Sequence, residues 1–399
     1  MRFGVNYTPR VNWWHAWLDF QPTEIRRDFE QIAALGLDHV RVFPVWSYFQ
    51  PDRRHVRPQA IADLVRMIDL AGESGLDVQI DGLQGHLSSF DFYPAWTQTW
   101  HRRNVFTDPA VIEAQALLLR TIGTAVRDRP NVMGMTVGNE MNNLVEHNPA
   151  SVAEVDHWID TMLAALDESL RIRCHSAYDA AWYSDGHPFT PQASARKGML
   201  TTVHPWVFSN NCAGLYGPLS TETTHLAEYA VELAKAYAEE PRRIIWVQEV
   251  GAPEGHIPPA DAPEFAERII ANAVTCEDVF GITWWCSHDV DRSYADFPAL
   301  EYSLGLIDSA GETKPLGARI AQEVKALRAD PVQPTRRTSA LVFTGGGLDS
   351  RSASGPGGGF FESWMRHAAA GDRSAIVLAD RAADGQYLSA RGIESVVMP

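Results

Sequence analysis

Two glutamates stand where apolar runs end. Glu140 closes the run that begins at Val132, and Glu249 closes the run that begins at Ile244. Each run reads as a buried strand, so each glutamate sets a carboxylate where strand meets loop. Burying a carboxylate costs several kcal/mol unless it is paired or hydrogen-bonded, so two such placements need a reason. Cleavage of a glycosidic bond supplies one, because it uses two carboxyl groups facing one another across the bond. One group gives a proton to the leaving oxygen, and the other attacks the sugar or activates water.

The elements that must position this pair follow from hydrophobic period. Up to residue 330, short apolar runs alternate with longer amphipathic ones, the pattern of repeated β-α units around a parallel sheet. Eight candidate strands run over Phe3 to Tyr7, His39 to Trp46, Asp77 to Leu83, Val132 to Asn139, Ile172 to Tyr178, Leu200 to His204, Ile244 to Glu249 and Gly281 to Cys286. Helices are expected over Thr23 to Leu35, Ile61 to Glu73, Val111 to Arg127, Val152 to Leu170, Glu222 to Glu239, Pro263 to Glu277 and Lys314 to Leu327, with Gly36 as a C-cap of the first. Gly186, Pro188 and Pro191 make the crossover between Tyr178 and Leu200 loop-rich. The fold class is α/β. Eight such units fit a closed (β/α)8 TIM barrel over 1–330, where chemistry lies on loops at the C-terminal ends of the strands.

Beyond Pro334 the character changes. Ser339 to Phe343, Phe360 to Ala369, Ser374 to Leu378, Gln386 to Ala390 and Ser395 to Met398 read as strand, helix, strand, short helix and strand, a small α/β appendage over 331–399. Its glycine runs, Gly345 to Gly347 and Gly355 to Gly359, are not followed by Gly-Lys-Ser/Thr. They read as flexible surface loops rather than a phosphate cradle.

Composition narrows the partners. A net charge of -16 without a Lys/Arg stripe argues against nucleic acid, which is bound by neutralising phosphates. No window approaches the roughly 18 apolar residues of a membrane span, and the N-terminus has no apolar leader, so the expectation is a soluble, cytoplasmic protein with no membrane partner. Cys174, Cys212, Cys276 and Cys286 lack metal or disulfide spacing and read as reduced, buried thiols. No cofactor or metal is expected, and a homo-oligomer is left open.

The expected strand ends collect Tyr7, Arg41, His86, Asn139, Glu140, Tyr178, His204, Trp206, Glu249, Trp284 and Trp285. Carboxylates, amide and imidazole groups, a guanidinium and indoles suit a sugar, whose C–H face packs on aromatic rings while its hydroxyls meet polar groups. In this order, with Asn139-Glu140 after the fourth strand, Glu249 after the seventh, Arg41 on the second, His204 on the sixth and Trp284 or Trp285 on the eighth, the chain resembles retaining glycoside hydrolases of family 5. The segments Asn12 to Phe20, Leu83 to Phe92 and Thr99 to Asn104 resemble its subfamily 18, described as β-mannosidases acting on the mannose-β-1,4-N-acetylglucosamine unit of N-glycan cores.

The resemblance implies roles residue by residue. Glu140 is expected as general acid/base and Glu249 as nucleophile, with a small oligosaccharide as partner and a carboxyl separation of about 5–5.5 Å. An apolar surrounding should raise the pKa of the acid, and Arg41 should bond Glu249 and lower its pKa. Asn139 should meet the 2-hydroxyl, His204 support Glu140, and His86 reach other hydroxyls. The family usually has His-x-Tyr where this chain has His204-Pro205-Trp206. Either Tyr178 or another phenol takes the tyrosine's place near the nucleophile, or Trp206 contacts substrate.

Neighbouring strand residues face opposite ways, so only one of Trp284 and Trp285 can line the site, with Trp284 favoured. Trp14, within the Trp13 to Trp17 cluster, and Trp96, in the long loop from Gln84 to His101, are expected as walls that turn a cleft into a pocket. A pocket selects exo-acting cleavage. A β-glucosidase, an endo-acting glucanase or mannanase, and a sugar-binding barrel without catalysis are the competing readings; a metal-dependent hydrolase is disfavoured because no His-x-His follows the first strand.

Overall fold

A computed structural model describes residues 1–100 and 102–399; His101, the end of the long loop named above, lies outside the described residues. Eight parallel strands form one sheet: β1 (Arg2–Asn6), β2 (His39–Val42), β3 (Asp77–Asp81), β4 (Val132–Thr136), β5 (Ile172–Cys174), β6 (Thr201–Val203), β7 (Ile245–Val250) and β8 (Val279–Trp284). The ladder runs β5-β4-β3-β2-β1-β8-β7-β6. At the β5/β6 seam, Met199 N donates to Arg173 O at 2.8 Å and Thr202 Oγ1 to His175 O at 3.2 Å, which draws the sheet into a barrel. Burial on both faces explains the near-continuous apolar runs, such as β7, where every residue is buried.

One principal helix follows each strand: α1 (Pro22–Ala34), α2 (Pro58–Glu73), α3 (Pro109–Val126), α4 (Val152–Ala164), α5 (Pro191–Arg196), α6 (Leu226–Tyr237), α7 (Ala262–Ala273) and α8 (Pro315–Ala329). Proline stands in the first turn of all but α4 and α6, where its missing N–H has no intrahelical partner to lose. Gly36 ends α1 at φ +80°, a left-handed conformation that favours glycine. Three helices are shorter than their period suggests. α7 stops at Ala273 rather than Glu277. α4 stops at Ala164, and Leu170 N then closes a turn on Asp167 O at 3.1 Å. The stretch from Glu222 breaks at His225, whose Nδ1 lies 2.7 Å from Glu228 Oε2.

The appendage forms a three-stranded parallel sheet in the order β10-β9-β11, with β9 Ser339–Phe343, β10 Ala375–Leu378 and β11 Ser395–Val397. It shares one apolar cluster with the barrel: Tyr229 of α6 packs on Phe361 and Trp364 at centroid distances of 5.0 and 5.2 Å. Arg351, also buried, donates to the carbonyls of Ala181 and Phe189 at 2.7 and 2.9 Å. The glycine run at 355–359 is not a free surface loop. Gly355 and Pro356 are buried, and a Cβ on Gly355 would lie 3.0 Å from that of Tyr183. All four cysteines are unpaired and buried, and among the described residues no helix is long and apolar enough to cross a membrane.

Candidate active site

The strands end early, and the residues just beyond them turn into the site. After β4, a Cβ on Gly138 would lie 2.1 Å from Leu83 O, so only glycine lets the chain pass β3 there. Glu140 follows with φ +44° and ψ +42°, a strained conformation for a residue with a side chain. The turn is held by Ser176, whose Oγ accepts from Glu140 N at 3.2 Å and donates to Gly138 O at 2.9 Å.

Glu140, Glu249 and His204 converge, with one carboxylate oxygen of each glutamate and a ring nitrogen of the histidine within 4.8 Å of one another. His204 Nδ1 lies 2.7 Å from Glu140 Oε1 and 3.5 Å from Glu249 Oε2. Gln248 fixes the imidazole from behind: its amide donates to Thr136 Oγ1 at 3.1 Å, which leaves its oxygen to accept from His204 Nε2 at 3.2 Å. Asn143 Nδ2 donates to Glu140 Oε2 at 3.2 Å. Both oxygens of Glu249 are taken, Oε1 by Arg41 Nη1 at 2.5 Å and Oε2 by the Trp206 indole at 3.2 Å. With those donors in place, the cluster suits an organic substrate better than a cation.

Arg41 is the hub beneath. It binds Asp81 with two parallel bonds of 2.9 and 2.5 Å and donates to Asn6 Oδ1 at 3.0 Å and Asn139 Oδ1 at 2.7 Å. Its single charge is thus divided between Asp81 and Glu249. Burial pushes Glu249 above the ordinary glutamate value and Glu140 adds to the rise, with His204 and Arg41 pulling the other way. The lowering expected from Arg41 is therefore present but outweighed. Burial opposes charge on His204, yet Glu249 and Glu140 outweigh it and hold the imidazole above its usual value. Burial also pushes Asp179, which accepts from Trp206 N at 3.4 Å, up to about 7, with Glu140 adding to the rise and Ser209 and His204 opposing it.

Above this layer lies a cavity of about 260 Å³, lined by His86, Asn139, Glu140, Tyr178, Trp206 and Glu249 among the expected residues. Arg41 and His204 do not line it; both are fully buried under its floor, where they orient the residues that do. Trp285, not Trp284, lines the cavity. Two residues earlier, Thr283 faces the barrel interior, where its Oγ1 accepts from Trp246 Nε1 at 2.8 Å, and strand parity sends Trp284 outward against Phe265 of α7. Trp14 stands behind Trp285 at a centroid distance of 6.1 Å, and Trp96 bonds Gln50 O at 3.0 Å and packs on Trp46, away from the cavity. Tyr178 is engaged by Ser209, whose Oγ donates to the phenol at 3.0 Å, so it is Trp206 that stands at Glu249.

Ser88, Ser89, Asn143, Phe208, Leu300, Glu301 and Leu304 complete the lining and were not expected. Asn143 stands three residues after Glu140, and Ser88 and Ser89 lie in the segment Leu83 to Phe92 that carries the subfamily resemblance. The two serines form the tip of a hairpin pairing His86–Leu87 with Phe90–Asp91, at φ +47° and +69°. One side of the cavity is backed by aromatic rings. Trp13, Phe90 and Phe297 meet pairwise at 4.7 to 5.5 Å, joining the loops after β1, β3 and β8.

No protein-family model matches the chain, and no curated protein does. Solved structures do. GH5_18 from Streptomyces cattleya, in complex with GlcNAc, superposes with a TM-score of 0.98 at 53% identity, covering 100% of this chain and 98% of its own. A variant of the same protein carries Manβ1-4GlcNAc. A GH5_18 from Bifidobacterium longum subsp. infantis gives 0.96 at 42% identity, over 100% and 96%. The exo-β-1,4-mannosidase Op5Man5 from Opitutaceae bacterium strain TAV5, at 22% identity, 0.83 and coverage of 100% and 72%, shares the fold. The chain is a glycoside hydrolase and belongs to family 5, subfamily 18.

Proposed function

We propose that this chain is a retaining, exo-acting β-mannosidase that releases mannose from mannose-β-1,4-N-acetylglucosamine and related N-glycan core fragments. The observation that carries the reading is the approach of Glu140 and Glu249 to within 4.8 Å at the base of a cavity sized for a sugar rather than a polymer. One oxygen from each glutamate within that reach supports the close carboxyl spacing of retention over the wider spacing of inversion. The Manβ1-4GlcNAc held by the S. cattleya relative supports the substrate.

In this mechanism Glu249 attacks C1 as the carboxylate, and Glu140 gives its proton to the departing glycosidic oxygen. The C1–O bond breaks and a glycosyl ester forms on Glu249. Neutralising Glu249 removes its repulsion from Glu140, which then takes a proton from water as that water attacks C1 and frees the ester. His204 shares the Glu140 proton through Nδ1, and Arg41 and Trp206 hold Glu249 in line. Arg41 turns the Asn139 oxygen inward, so the amide Nδ2 is the donor left for the 2-hydroxyl, axial in a mannoside. A cytoplasmic location belongs to the same reading, because four unpaired cysteines suit a reducing compartment and a small pocket suits an imported fragment.

The test compares hydrolysis of Manβ1-4GlcNAc, an aryl β-mannoside and cellobiose while NMR follows the first anomer released. Preference for the mannosides with β-mannose appearing first is expected. Preference for cellobiose overturns the substrate, and α-mannose appearing first overturns the double displacement.

A further inference from the structure

A third carboxyl faces the cavity that holds Glu140 and Glu249. Glu301, in the turn Ala299–Ser303 after β8, is 9% exposed and shares the lining with Ser88 and His86. The guanidinium of Arg41 is committed to Asp81 and Glu249, and the His86 ring to Asp91 at 2.7 Å. Burial pushes the Glu301 carboxyl up to about 7; Glu249 and Glu140 add to the rise, while Ser88 and His86 oppose it. A buried carboxyl beside two others is unfavourable unless something that enters the cavity hydrogen-bonds to it.

Its position is fixed from both sides. Cys286 N donates to Leu304 O at 3.2 Å, and Ser303 Oγ donates to Glu254 Oε2 at 2.6 Å, so the turn is tied to the ends of β8 and β7. Phe297, on the approach to the turn, packs against Phe90 of the hairpin at 4.8 Å. The hairpin tip, with Ser88 in a left-handed conformation unfavourable for serine, is thereby set against Glu301.

The barrel order then says which part of a substrate meets this pair. Glu140, the proton donor, follows β4, and Tyr178, Trp206 and Phe208 continue that side through the ends of β5 and β6. The leaving group must depart on the side of the proton donor. Glu301 follows β8, across the barrel from β4, and the hairpin after β3 carries Ser88 to it, backed by the aromatic rings, where the retained sugar ends.

We infer that Glu301, with Ser88, is the specificity-determining contact for the hydroxyls of the terminal sugar remote from C1, those at positions 3, 4 or 6. A carboxyl there grips a free sugar end and leaves no passage for a further residue. This rests on the proposed glycosidase reading. It is tested with aryl β-mannosides lacking the 3-, 4- or 6-hydroxyl, on the wild-type protein and on Glu301→Ala and Ser88→Ala. The inherent effect of losing a hydroxyl is common to all three proteins and cancels in the comparison. For at least one position, wild type should lose about 10- to 100-fold in kcat/KM, as expected for a hydrogen bond to a carboxyl. Glu301→Ala should lose less than about 3-fold at that position. Equal penalties in wild type and Glu301→Ala at every position overturn the inference. Should the alanine variant fail to fold, Glu301→Met, of similar length but without the carboxyl's hydrogen-bonding oxygens, takes its place under the same criterion. If wild type cleaves no β-mannoside, the substrate reading fails separately, and the same deoxy comparison is run on the aryl glycoside it does cleave.

Discussion

The indole N–H of Trp206 donates to Glu249 Oε2 at 3.2 Å, on the face of the carboxylate opposite Arg41. Where the family usually places a tyrosine, this chain puts a donor that neither titrates nor accepts a hydrogen bond. Its ring also stacks on Phe208 at 4.9 Å, so the position is rigid. Trp206→Phe keeps an aromatic ring and deletes the donor. It should lower kcat by about 10- to 100-fold, the worth of one hydrogen bond to a charged group, while the melting temperature changes little. Steady-state kinetics with an aryl β-mannoside measure this, and an unchanged kcat would remove Trp206 from the support of the proposed nucleophile, Glu249.

The barrel was legible because its strands are buried on both faces, so β4 and β7 stand out as apolar runs that stop at a carboxylate. Strand ends were read too long: β4 ends at Thr136 and β5 at Cys174, and beyond them Asn139, Ser176 and Tyr178 serve the site. Alternation established that Trp284 and Trp285 part ways but not which faces inward. That depended on Thr283 meeting His39 and Trp246 inside the barrel, a contact between distant strands. Glu301 had no signature at all. It sits in a loop without period, and its meaning arises from the approach of the β3 hairpin through Phe90 and Phe297.

Glu140 has two duties in the proposed reaction, and a good leaving group separates them. With a dinitrophenyl β-mannoside the leaving oxygen needs no proton, so Glu140→Ala should still form the glycosyl ester. Loss of the base then slows its hydrolysis by about 10²- to 10⁴-fold, the usual contribution of a general base. Azide, which needs no deprotonation, should restore turnover and yield β-mannosyl azide. Failure of azide to accelerate the variant, with the fold intact by circular dichroism, would take the acid/base role from Glu140.

Asp179 should make the protein more stable in mild acid than at neutral pH, contrary to the usual carboxylate. In the unfolded chain an aspartate gives up its proton near 4, whereas burial lets folded Asp179 hold it to about 7. Between those values the folded state binds the extra proton, so this group's contribution to stability falls as pH rises, reaching its least favourable above 7. Asp179→Asn is neutral throughout and should gain on wild type on the order of 4 kcal/mol at pH 8 and little at pH 4. Urea unfolding at the two pH values reads the difference directly. A stability offset independent of pH would show that Asp179 is ionised in the fold.

The appendage is joined to the barrel through charge as well as apolar packing. Arg337, 5% exposed, donates to Glu228 at 2.6 Å and lies 3.2 Å from Glu232, both on α6 and both buried. Arg373 and Arg391 reach the same glutamates at 3.2 and 3.3 Å from later parts of the appendage. Removing one cation from such a group strands negative charge away from water, an effect of about 3–5 kcal/mol. Arg337→Ala should therefore lower unfolding free energy by that amount. Because one apolar cluster spans Tyr229, Phe361 and Trp364, barrel and appendage should still melt in a single transition. Arg337→Lys, which keeps the charge but not the planar fork, should fall between the two. Two separate transitions, or a loss below about 1 kcal/mol in the alanine variant, would mean that the appendage folds on its own and that the ion pairs merely decorate its contact with α6.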